Sequence, residues 1–183
     1  MSIWFLIGIV LLIIIVIGWY ISNLNNLRRS NIKIDEALSG IDVALTKRYD
    51  VLTKMIEVVK GYAKYEQETL FKIIQVRENM NIKELKEAKE SMDDGFDKIN
   101  ALVENYPDLK ADESFKILQK TIVDVEEHLQ AARRLYNSNV SLYNQLVESF
   151  PTNVIANANG MKKRDFFEAE DKARENVKVD VSK

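Results

Sequence analysis

The sequence has no cysteine, a single histidine, two prolines and six glycines in 183 residues. Without cysteine there is no disulfide, no thiolate nucleophile, no cysteine-based metal site and no lipidated cysteine anchor, a pattern that suits a reducing compartment. One imidazole, His128, excludes any site that needs two, including the paired Glu-x-x-His sites of di-metal helical proteins. Even half of that motif fails, because Val125 stands three residues before it. Scarce glycine and proline leave few places to turn sharply, which argues against strands joined by tight hairpins. The glycines, Gly8, Gly18, Gly40, Gly61, Gly95 and Gly160, lie too far apart for a phosphate-cradling or dinucleotide loop, and there is no Gly-x-Ser-x-Gly elbow. Basic excess is missing too: the net charge is -2. A nucleic-acid partner is therefore not expected.

What is present is apolar and charged in proportions that fit a packed helical chain and not a disordered one, with 46% hydrophobic and 30% charged residues. The length predicts one ordinary domain, or one smaller domain with accessories. From Ile3 to Ile21 the chain reads IWFLIGIVLLIIIVIGWYI without a charge. As a helix this run is ~28 Å long, close to the ~30 Å of a bilayer's hydrocarbon core. Trp4 marks one end and Trp19 with Tyr20 the other, where amphipathic rings favour the headgroup level. No basic stretch precedes the run and no small-x-small pattern precedes Asn23, so an uncleaved anchor is expected rather than a signal peptide. Arg28, Arg29 and Lys33 follow it closely. The positive-inside rule then predicts a single-pass cell-membrane protein with a very short N-terminus outside and the C-terminal domain in the cytoplasm.

Beyond the span, apolar residues recur on a seven-residue repeat at Leu24, Leu27, Ile34, Leu38, Ile41, Leu45, Leu52, Met55, Val59 and Tyr62. Asn31 and Arg48 are the polar exceptions. This predicts a helix continuing out of the membrane to about Arg77, with bends allowed at Gly40 or Gly61. A second helix is predicted over roughly 83–106, with Leu85, Ala88, Met92, Ile99 and Leu102 on one face, widened by Phe96 and Val103. After Pro107, Asp112 or Ser114 can cap a third, whose stripe runs through Phe115, Leu118, Ile122, Val125, Leu129, Ala132, Tyr136, Tyr143, Leu146 and Phe150 until Pro151. Asn139 interrupts that stripe. Short connections favour antiparallel neighbours. The expected fold is all-α: an N-terminal transmembrane helix continuing into an antiparallel up-and-down helical bundle of long helices, with a self-assembling coiled coil as the competing architecture. Its parts are an anchor at 1–23, the bundle at 24–160 and a tail at 161–183.

Arg48 is flanked on its own helix face by Ala44, Leu45, Val51 and Leu52, so no carboxylate there can neutralise it. Either its long stem lets the head snorkel to water or it pairs across the bundle, since an unpaired buried charge is strongly destabilising. In the second reading, the KRYD and YNSN segments approach one another and Asn139, a tyrosine hydroxyl or a nearby acid receives Arg48, fixing register. The acid pairs Asp93-Asp94 and Glu126-Glu127 are read as solvated faces, because adjacent helical residues point about 100° apart. Asp124 stands one turn from His128, and an exposed surface pair is the expectation there. No catalytic, cofactor-binding or metal-binding residue is assigned.

The tail places Lys162, Lys163 and Arg164 before Phe166 and Phe167. Such a segment can lie on a membrane surface, or its phenylalanines can cover the open end of the bundle; the nearly balanced charge of the tail favours the second.

The stretches IDVALTKRYDVLTKMIEVVKGYAKYE (Ile41 to Glu66), NYPDLKADESF (Asn105 to Phe115), AARRLYNSNVSLYNQLVESFPTNVIA (Ala131 to Ala156) and FFEAEDKARENVKVD (Phe166 to Asp180) resemble the LemA family of bacterial membrane proteins. With the span, the likeness covers nearly the whole chain. It departs from the family at Thr53 and Val177, where proline is common among members, and at Tyr65, where members usually carry histidine. Thr53 predicts a more continuous first helix, and Tyr65 removes a metal or acid-base role from that block. The resemblance implies an anchored helical bundle inside the cell and no established chemistry or cofactor. Some relatives are associated with membrane shaping, and others with membrane proteases in stress responses. The expected function is that of an interaction or scaffold module at the inner membrane face, with a protein partner or self-association. Membrane structuring by self-assembly is the alternative and a membrane-bound enzyme a remote one.

Overall fold

A computed structural model describes residues 3–62 and 80–167. Five helices occur there, and no strand is found among the described residues: α1 (Ile3–Lys60), α2 (Ile82–Glu104), α3 (Pro107–Ala111), α4 (Glu113–Glu148) and α5 (Thr152–Ala158). The first is one uninterrupted element of 58 residues. Its N-terminal part holds an apolar window with mean hydropathy 2.8, none of it buried, which is long and apolar enough to cross a membrane. The helix passes through Gly40 without ending and through Thr53 without a break, as the absence of proline there predicts, and turns at Gly61 and Tyr62. Its expected continuation to Arg77 lies outside the described residues, as do Tyr65 and Val177.

From Leu27 onward the same helix contributes the core. Leu27, Ile34, Ile41, Leu45, Leu52, Met55 and Val59 are buried as the repeat predicts, and Ala37, Ala44, Val51 and Ile56 widen the seam. Helix α4 runs antiparallel along α1: Tyr62 at the end of α1 donates to Asp112 before α4, while Asn139, far along α4, donates to the Lys33 carbonyl. Helix α2 begins with a capping box in which Asn81 and Glu84 bond each other's backbone N–H groups, and it packs on α1. Asp112 is the cap of α4, accepting from the Phe115 N–H at 3.0 Å. The buried stripe of α4 is Phe115, Ile122, Val125, Leu129, Tyr136, Val140, Tyr143, Asn144 and Val147.

Phe150 corrects the expected stripe. Helix α4 ends at Glu148, and the chain has already turned when Phe150 is reached, leaving that ring 82% exposed. Helix α5 then folds back onto α1 and α4 through Ile155 and Ala156. It closes with a Schellman motif, in which Met161 N–H bonds the Ala156 carbonyl and Gly160 N–H the Asn157 carbonyl. Gly160 sits at φ 65°, a left-handed conformation that glycine adopts without a Cβ clash. The chain leaves it as an extended strap, residues 161–167.

Candidate interaction site: a buried charge cluster and a strapped face

Arg48 is 5% exposed, which places its guanidinium among the core side chains. It is paired across the fold: Nη1 lies 2.5 Å from Asp93 Oδ1 on α2 and Nη2 3.3 Å from Glu126 Oε2 on α4. Lys89 Nζ reaches the other Asp93 oxygen at 2.6 Å. Three helices therefore meet at one alternating set of charges. Each acid pair splits, with Asp93 and Glu126 turned toward Arg48 and Asp94 and Glu127 exposed. The acid pairs are therefore not simply solvated faces, because the 100° step between neighbours turns one carboxylate of each inward and leaves the other in water. Burial pushes the Asp93 carboxyl up, but hydrogen bonds from Lys89 and Arg48, with their charges, outweigh it and hold the group below the usual carboxylate range.

The snorkelling alternative for Arg48 is thereby set aside, and so is Asn139 as its receiver. Asn139 donates to the Lys33 carbonyl at 3.0 Å, fifteen residues before Arg48 on α1. That separation is about 22 Å along a helix. The KRYD and YNSN segments do not meet, although each polar interruption does find a partner across the fold.

Beside Arg48 lies a cleft lined, among the described residues, by Phe96, Ile122, Glu126, Glu127, His128 and Arg134. His128 and Asp124 are both exposed on α4. Among the described residues no group of three or more His, Cys, Asp or Glu side chains gathers as a metal site would.

The strap 161–167 is held by side chains that read its backbone. Asn144 accepts from Arg164 N–H and donates to the Arg164 carbonyl, both at 2.9 Å. Asn137 does the same at Phe167, with 2.8 and 2.9 Å. Between them the Tyr136 hydroxyl donates to the Asp165 carbonyl at 2.9 Å. Burial raises the Tyr136 phenol above its ordinary value, with the charge of Arg164 opposing. Arg164 also reaches α1, donating to Asp35 at 2.7 Å and to Asn31 at 3.1 Å, which accounts for the second polar exception in the α1 repeat. Phe167 is buried, with Arg133 and Lys86 over its ring. Of the two phenylalanines expected to cover the fold, only Phe167 does so, and it fills the side of the domain near the start of α2. Phe166 stays partly exposed.

The fold defines an all-helical class of protein, in which a first helix long and apolar enough to cross a membrane runs on into a helical domain with a buried ion cluster. Residues 37–181 match the LemA family. Protein LemA of Metamycoplasma hominis is 32% identical over 168 residues, a stretch that covers 89% of this chain and 76% of that protein. The chain belongs to the LemA family. Shorter likenesses join it to magnetosome proteins: MamQ 2 of Paramagnetospirillum magneticum is 28% identical over 71 residues, and MamQ of Magnetospirillum gryphiswaldense 26% identical over 70. Each of these matches spans 26% of the relative's length.

Proposed function

We propose that the protein is an interaction module tethered to the inner face of the bacterial cell membrane, holding a rigid helical surface at a fixed height above the bilayer for a protein partner. The observation that carries this reading is the continuity of α1, whose exposed apolar part and core-forming part belong to one helix. A flexible linker would tether a domain; a continuous helix also orients it. Orientation in this reading follows Arg28, Arg29 and Lys33, with the helical domain in the cytoplasm. No catalysis is part of the proposal. Crosslinking in intact membranes, followed by pull-down of the full chain, tests it: a recurrent partner is expected, and recovery of neither a partner nor a second copy would remove its support.

Leu135 and Leu142 favour a second reading. Both are exposed on α4 one heptad apart, a spacing that suits self-association. Membrane structuring by self-assembly follows if the anchored chain alone clusters or curves vesicles; smooth, separate vesicles at high protein density would count against it.

A further inference from the structure

The geometry points to a second membrane contact: the corner joining α4 to α5 lies at the headgroup layer from which α1 emerges, and Phe150 and Val154 insert into it. This rests on reading α1 as a span. The two side chains are 82% and 60% exposed, and Phe150 is barer than any large hydrophobic side chain of the apolar run itself. Scattered exposed apolar residues are ordinary on a soluble surface, so position has to decide.

Two contacts fix that position. Asn139 on α4 bonds the Lys33 carbonyl on α1, and the helices run antiparallel. Helix α4 ends at Glu148, nine residues beyond Asn139, or about 13 Å at helical rise, which brings its end and the corner that follows level with Leu24. From the other end of α5, Asn159 Nδ2 donates to the Tyr20 hydroxyl at 3.0 Å. The two lines, at Leu24 and Tyr20, bracket the place where the apolar run ends at Ile21 and polar sequence begins at Ser22. A phenyl ring bare at that height meets headgroups and upper acyl chain rather than bulk water.

Charge agrees with a lipid occupant. From Ile21 to Ile34 α1 carries Arg28, Arg29 and Lys33 and no acid, and Lys162 is exposed just beyond Gly160. Glu148, the acid at the end of α4, is paired with Lys163 at 2.6 Å. The corner is therefore apolar at its tip and basic around it, which suits an anionic leaflet.

The absence of native cysteine makes the test direct. Single substitutions Phe150→Cys, Val154→Cys, Ile13→Cys and Ile117→Cys in the full chain are labelled with an environment-sensitive fluorophore and reconstituted into phosphatidylcholine–phosphatidylglycerol vesicles. Nitroxide lipids quench at either headgroup or mid-chain depth. Probes at 150 and 154 are expected to be quenched several-fold more by the shallow nitroxide than the probe at 117, and the probe at 13 mainly by the deep one. If 13 is quenched while 150 and 154 behave like 117, the corner contact is refuted and the span stands. An unquenched probe at 13 refutes the span and the corner with it. A blue-shifted but unquenched probe at 150 means that protein, such as a second copy, covers the corner, and also overturns the proposal. Phe150→Asp in the Val154→Cys background should cut shallow quenching at 154 by at least half with unchanged far-ultraviolet dichroism; unchanged quenching would refute the role of the ring.

Discussion

Replacing Asp93 by asparagine removes the closest counter-charge of Arg48 while keeping shape. Breaking a buried pair by deleting one partner costs about 3–5 kcal/mol, because the surviving charge stays desolvated. Here the Arg48 side chain is almost fully buried, but Asp93 is about a quarter exposed and Glu126 remains 3.3 Å from the guanidinium. The lower end applies, about 3 kcal/mol. For a chain of this size that corresponds to a melting point lower by roughly 6–12 °C, read by circular dichroism of the full chain in detergent micelles. Arg48→Met should behave differently. Asp93 would keep Lys89, and replacing a buried charge by an apolar side chain is often neutral, so a change within about 1 kcal/mol is expected. Adding Asp93→Asn to Arg48→Met should then cost little, leaving a coupling energy of about 2 kcal/mol or more in the double-mutant cycle. If Asp93→Asn alone shifted the melt by only a degree or two, or if Arg48→Met were equally damaging, the charge cluster would not be what joins α1, α2 and α4. The pH dependence provides a further check. Because the folded Asp93 carboxyl titrates below its usual range, its contribution is complete above the unfolded value near pH 4 and is lost as pH falls through the folded value. The gap between wild type and Asp93→Asn should therefore be full at pH 7 and narrow as the pH falls below about 4, closing as it passes through the folded value.

Phe167→Ala empties a buried site and should destabilise by roughly 3–4 kcal/mol in a denaturant titration; a change under 1 kcal/mol would mean that the strap is not packed. Asn144→Ala removes both bonds to the Arg164 backbone and should raise hydrogen exchange at that amide, with a stability loss of about 2 kcal/mol. An unchanged exchange rate would show that Asn144 does not hold the strap. The Tyr62 phenol donates to Asp112 and titrates above its ordinary value for that reason first; in Asp112→Asn its titration, followed by nuclear magnetic resonance of labelled tyrosine, should move down toward that value.

Much of the helical framework was legible because periodicity is a property of one helix at a time. Leu27, Ile34, Ile41, Leu45, Leu52 and Met55 are all found buried. What one helix cannot encode is its offset against the next, so Arg48 could be recognised as needing a partner while Asp93 and Glu126 could not be told from their exposed neighbours. Asn139 lies on the interrupted stripe and yet bonds a carbonyl about 22 Å along α1 from Arg48. Phe150 fitted the heptad by count alone; the helix had ended two residues before it. The strap was the least legible part. An extended segment has no period to detect, and its partners, Asn137 and Asn144, bind backbone groups that any sequence presents.

Under the proposed function, in which α1 spans the bilayer, the continuity of this helix has a mechanical consequence. From Asn23 to Lys60 the helix extends about 57 Å at helical rise. A membrane helix commonly tilts by about 20° from the bilayer normal, and through an arm of that length such a tilt carries the far tip sideways by about 20 Å. With no hinge in between, a change in bilayer thickness that alters the tilt becomes a lateral displacement of the distal surface. A span of the kind proposed would make the helix a pointer, converting an ångström-scale mismatch inside the lipid into a far larger movement at its tip.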